Sequence, residues 1–134
     1  MYLKHSFFIA EAIIKIQRLD PNNFQQEWIG SFDSHSKAPS TPTACRSEGL
    51  GAAFRLAHDH NYTEEAEKYR KAIKEAIKFQ LQMHLKPESV MYYNNKKFCL
   101  GGVHASLTNY EIRNDYTQHN ISSFISYYNI LKHY

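Results

Sequence analysis

Apolar residues recur at helical spacing in several stretches of the chain. In residues 3–19, Leu3, Phe7, Ala10, Ile13, Ile14 and Ile16 fall to one side, and Lys4, Glu11, Lys15 and Arg18 to the other. That is the pattern of an amphipathic helix. Asp20-Pro21-Asn22-Asn23 ends it, because the residue before proline avoids the helical region and Asn and Asp favour turns. Residues 63–85 carry the strongest pattern. Ala66, Tyr69, Ile73, Ala76, Ile77 and Leu81 form one stripe; Lys68, Arg70, Lys71, Lys74, Glu75 and Lys78 form another. Thr63 is expected as its N-cap, and Glu64, Glu65 and Glu67 suit the positive end of the helix dipole. Lys86-Pro87 closes the stretch. One dry face opposite one highly charged face predicts an outer helix.

Two further helices read differently. Residues 43–58 are rich in small side chains: Ala44, Gly49, Gly51, Ala52, Ala53 and Ala57. Thr43 is a candidate N-cap, with Ser40 or Thr41 followed by Pro42 as the other. Each glycine inside a helix costs about 1 kcal/mol against alanine, so close approach of a neighbouring backbone is expected, and with it an inner helix. Residues 116–133 carry the stripe Ile121, Phe124, Ile125, Tyr128 and Leu131 with further aromatics beside it, again suggesting an inner helix. Between these helices, residues 25–32 (QQEWIGSF) alternate loosely and read as a short strand. Residues 33–43 read as a Pro- and hydroxyl-rich loop. Residues 90–103, with Asn94-Asn95 between apolar flanks, read as a β-hairpin or long extended loop. The order contains an echo at about 70 residues: an extended segment, a polar loop with an inner helix, twice over.

The 134 residues define a single domain, 1–134, long enough for a real core. A net charge of +3 is too mild to argue for nucleic acid, and no reader-helix motif accompanies Lys96-Lys97. Two cysteines, Cys45 and Cys99, are too few for a disulfide scaffold or a zinc site, and are expected as free buried thiols. No signal peptide and no membrane-spanning run is visible, so a cytoplasmic location without membrane or nucleic-acid partners is expected. Asn61-Tyr62-Thr63 and Asn120-Ile121-Ser122 match the glycosylation sequon by chance.

The densest polar chemistry lies at Glu111, Arg113, Asp115, Gln118 and His119, just after Gly101-Gly102 and just before the last helix. Glu111, Arg113 and Asp115 alternate, so an extended backbone would point them to one side. Two carboxylates flanking an arginine suit acid/base work on a sugar with a substrate clamp. The competing reading has Asp115 capping the helix and Arg113 paired with Glu111 or Glu48. His119 follows Asp115 by one helical turn, which suits a proton-transfer dyad or a hydrogen-bonded core histidine. Arg46 and Glu48, near the start of the small-residue helix, read as an anchor and a general acid/base, or as a structural ion pair. Trp28, Tyr92, Tyr93 and Tyr110 offer flat platforms for sugar faces, or core packing. His35, with Asp33 in the Pro/Ser loop, could reach a cleft mouth or be simply solvated. Cys45 could act as a thiolate at a helix start. A weaker reading is a metal-dependent hydrolase using His104, Asp115 and His119. No Gly-rich phosphate loop is present and no cofactor is implied.

Three stretches together resemble the six-hairpin (α/α) toroid superfamily of glycosidase-like, lyase-like and epimerase-like proteins. They are Thr43-Ala44-Cys45-Arg46-Ser47-Glu48-Gly49-Leu50, the amphipathic helix from Thr63, and Gly101-Gly102 with Glu111-Ile112-Arg113-Asn114-Asp115-Tyr116 and Gln118-His119-Asn120. The resemblance implies an all-α fold of antiparallel helical hairpins with a short β-hairpin in the loops. It also implies a cleft at the mouths of the inner helices that takes a small-molecule or oligosaccharide ligand. Glu48, Glu111, Asp115 and His119 would be catalytic, and Arg46, Arg113, Trp28, Tyr110 and Gln118 would bind substrate, with no metal. The chain supplies far fewer helices than a complete toroid. It is therefore expected to be the C-terminal portion of one, with a missing N-terminal part, or a non-catalytic helical module completed by homo-oligomerisation.

Overall fold

The computed structural model describes residues 2–32 and 38–134. Helices α1 (Tyr2–Lys15), α2 (Ser40–Asp59), α3 (Thr63–Leu81), α4 (Lys96–Cys99) and α5 (Asn114–His133) form the structure, with a 3₁₀ turn at Gln26–Trp28. The protein is all-helical. Among the described residues the expected strand at 25–32 is that 3₁₀ turn, and the expected β-hairpin at 90–103 is the single-turn α4 between turns. Among the described residues only isolated bridges occur, His84 with Val103 and His104 with Ile112. The loop expected over 33–43 falls partly outside the described residues, and its last part is the first turn of α2. That start displaces Thr43 from the cap, which is Pro39. Likewise Tyr62 precedes Thr63 as the cap of α3, and Arg113 rather than Asp115 caps α5.

A tight turn through Asn61, in the left-handed region at φ 62°, folds α3 back antiparallel on α2. The core lies between them: Leu50, Phe54 and Ala57 of α2 meet Ala66, Tyr69, Ile73 and Ile77 of α3, with Ala10 of α1 and Ile130 of α5. The exposed lysines 68, 71, 74 and 78 leave α3 as the outer member, as its charged face requires. Helices α2 and α5 run parallel. Glu48 meets His119, Gly51 and Arg55 meet Ser126, and Phe54 and His58 meet Tyr134, so numbers rise together along both. A Cβ on Gly51 would collide with the Ser126 hydroxyl, which is the close approach that glycine there permits. Gly49 has open space instead.

The echo in the sequence is a repeat in the backbone. After α1, Gly30 (φ 95°) donates to Arg18 O at 2.8 Å, and Arg18 donates to Ser31 O at 2.9 Å. After α3, Gly101 (φ 82°) donates to Leu85 O at 2.9 Å, and Leu85 donates to Gly102 O at 2.8 Å. The next residue is fully buried in both cases, Phe32 and Val103. Its amide is accepted by a threonine hydroxyl one turn into the following helix, Thr43 at 3.3 Å and Thr117 at 3.2 Å. Both helices are 20 residues long, so a residue of α2 corresponds to the residue of α5 numbered 74 higher, the separation of Ser40 and Asn114. Ser40 donates its amide to Ala105 O at 2.8 Å and its hydroxyl to His104 O at 3.0 Å, tying the start of α2 to the segment that leads into α5.

Candidate functional site at the paired helix starts

The parallel packing of α2 and α5 brings Glu48 and His119 together. His119 Nδ1 lies 3.1 Å from Glu48 Oε2, and the side chains are 36% and 28% exposed, so a ligand could reach them. A carboxylate only accepts, so Nδ1–H is the donor and Nε2 is left as the nitrogen that can take or deliver a proton. His119 was expected to pair with Asp115, its neighbour one turn back. Asp115 is instead held by Arg113 in a two-pronged ion pair, Nε to Oδ1 at 3.0 Å and Nη2 to Oδ2 at 3.1 Å. The Arg113 guanidinium also lies over the Tyr116 ring at 4.8 Å. Asp115 is thus not the cap of α5, and the partner of Arg113 is neither Glu111 nor Glu48.

Cys45 completes the group. Its sulfur, a Glu48 carboxylate oxygen and a His119 ring nitrogen all lie within 4.8 Å of one another. Among the described residues this is the one grouping of three groups able to ligate a metal. The set proposed from sequence, His104 with Asp115 and His119, is not brought together. His104 is buried, with Nδ1 2.5 Å from Ser106 O. The expectation of two buried thiols is corrected: Cys45 is exposed and Cys99 half-buried, both free. Packing around the Cys45 sulfur, and then the Glu48 charge, still push its thiol up from its ordinary value. That favours the neutral thiol over a reactive thiolate.

The remaining expected site residues scatter. Arg46 is half-buried, and its Nη1 has no protein partner. Glu111 is exposed; its backbone carbonyl accepts from Ala105 N at 2.9 Å and its own amide donates to Asn109 Oδ1 at 3.1 Å. Tyr110 is exposed, with its ring tilted 5.0 Å from that of His104. Gln118 lines an open groove of about 750 Å³ with Ile112, Ile121, Ser122 and Ile125. Trp28 packs on the second core cluster of Phe79, Met83 and Val103, with the Arg18 guanidinium 5.1 Å over its ring, so it is a packing residue. Tyr92 is exposed and Tyr93 half-buried, while His35 and Asp33 lie outside the described residues.

Sequence reasoning gave Asn120 no role in the site and passed over Ser123. Both are fully buried, and Asn120 Oδ1 and Ser123 Oγ have no protein partner; neither does Ser47 Oγ of α2. Their signal is a polar residue one place before each of the apolar positions 121 and 124 of α5. Among the described residues no helix is long and apolar enough to cross a membrane. Comparisons of the chain with protein-family models, with curated proteins and with solved structures find no match.

Proposed function

We propose that the chain is a portion of an (α/α) toroid that binds or processes carbohydrate, with Glu48 and His119 as the pair that meets the ligand. The observation that carries this is the Glu48–His119 contact at one level of two parallel helices, partly open to solvent. A carboxylate that orients an imidazole leaves Nε2 to move a proton, which hydrolases need at the glycosidic oxygen and lyases and epimerases at a carbon. Two parallel inner helices, each following an outer helix and a loop of the same hydrogen-bond pattern, are what a ring of repeated hairpins requires. Arg46, two residues before Glu48 on α2 and with a guanidinium nitrogen that has no protein partner, is the group suited to a uronate carboxylate.

The test is thermal denaturation of the 134-residue chain with a panel of uronic acids and neutral oligosaccharides. One sugar class should raise the melting temperature. Glu48→Gln and His119→Gln should each remove that rise while leaving the unliganded melt close to wild type. A flat response across the panel, in a protein that melts cooperatively, would sink the carbohydrate reading. The second reading, a non-catalytic helical module completed by association, is favoured by the exposed apolar residues Ile125, Tyr128 and Leu131 along α5.

A further inference from the structure

We propose that the two open edges of this helical unit bind each other head to tail, so that α5 of one copy receives α2 of a second copy of the same chain. The inference rests on the backbone repeat alone and does not depend on the carbohydrate reading. Within the chain, α2 offers Glu48, Gly51 and Phe54 to α5, which answers with His119, Ser126 and Tyr134. The corresponding residues on α5 are Ser122, Ile125 and Tyr128. All three are exposed, the latter two at 55% and 61%, and Ser122 and Ile125 line the open groove of about 750 Å³. On this edge α5 presents the positions that α2 uses to accept a parallel helix.

The other edge supplies the complement. The α5 residues that face α2, His119, Ser123, Ser126 and Ile130, correspond to Cys45, Gly49, Ala52 and Leu56. Cys45, Gly49 and Ala52 are exposed, and Gly49, Ala52 and Leu56 line a shallow apolar groove with Ile9 and Ile13 of α1. Tyr2 and Phe8 of α1 and Ile16 just after it add apolar surface, exposed at 85%, 71% and 46%. In the chain, α3 covers one flank of the α2–α5 pair. In the assembly, α1 of the incoming copy takes that place. Different patches meet, so the contact is heterologous and either closes into a ring or continues as a chain.

The register makes one sharp prediction. Ser122 of one copy should lie beside Cys45 of the next, as Glu48 lies beside His119. The experiment places Ser122→Cys in a Cys99→Ser background and adds diamide, which takes up the two electrons and two protons released when two thiols join. The proposal expects a solution mass at least twice the 15.7 kDa of one chain. It also expects a reducible ladder of multimers that vanishes when Cys45→Ser is added. Ile125→Glu, at an exposed position, should return the protein to one chain per particle with its helical signal intact. A monomer that gives no ladder would overturn the proposal. So would a single cross-linked dimer that persists without Cys45, which would mean α5 meets α5. Loss of sugar binding with the ladder intact would count against the carbohydrate reading alone.

Discussion

Thr43 and Thr117 make the same bond 74 residues apart: each hydroxyl accepts the amide of the first core residue after a left-handed glycine, Phe32 at 3.3 Å and Val103 at 3.2 Å. Both stand fourth in their helices, so the bond fixes the angle at which each loop enters its helix. Thr→Val keeps the shape and removes the acceptor. Thr43 is fully buried, so Thr43→Val should strand the Phe32 amide and cost about 1–3 kcal/mol. Thr117 is only partly buried, and water can take over, so Thr117→Val should cost less. Urea melts of the two variants check the order. Equal costs would mean that water does not replace the Thr117 hydroxyl.

The two left-handed glycines should respond unequally. Gly30, at φ 95°, has the Glu75 carbonyl where a Cβ would stand, whereas Gly101, at φ 82°, has open space. Gly101→Ala should show backbone strain alone, about 1–2 kcal/mol. Gly30→Ala adds a backbone collision between the α1–α2 loop and α3, and should cost clearly more. Chemical denaturation of both variants measures the gap.

Gly49 and Gly51 share a helix but not a role. Gly49→Ala enters open space and should stabilise the chain by about 1 kcal/mol through helix propensity. Gly51→Val drives a branched side chain into Ser126 and should cost about 1–3 kcal/mol through overpacking, parting α2 from α5. A stabilised Gly51→Val would contradict the close parallel packing on which the Glu48–His119 pair depends.

Acid should act through His104. Burial holds its imidazole below its ordinary value of 6.5, outweighing the hydrogen bonds near Ser106 and Asn109. The folded state therefore binds fewer protons than the unfolded state as pH falls through the ordinary histidine range. The stability it supports is complete above 6.5 and is lost as pH drops through the depressed folded value. Melting temperatures recorded from about pH 7 down to about pH 5 should fall, and His104→Asn should fall less steeply over that window. Parallel slopes would mean that His104 is not the group that takes up the proton.

The helices were legible because their causes are local. The period of the apolar residues in α1 and α3 and the small residues of α2 act within a few residues of where they stand, whereas α1 ends at Lys15 and α3 at Leu81, each short of the end expected at Asp20-Pro21 and Lys86-Pro87. The same local reasoning misplaced the β-hairpin. Apolar residues around Asn94-Asn95 suit a strand pair, but the segment closes into short-range turns, such as Tyr93 to Val90 and Phe98 to Asn95, and Gly101 and Gly102 bond outward, to Leu85. The candidate pair shows the division most clearly. Asp115 is the local partner for His119, one turn away, yet Arg113 beside it offers a planar two-pronged bond and takes the carboxylate. Glu48 becomes the partner only because Gly51 lets α2 and α5 pack in parallel, closing a separation of 71 residues. Sequence by itself determined the helices and the echo between the two halves, but not the inner place expected for α5, whose stripe residues Ile125, Tyr128 and Leu131 are exposed. Tertiary structure decided which charges meet, because that depends on the relative direction and height of two helices, and no local pattern encodes either.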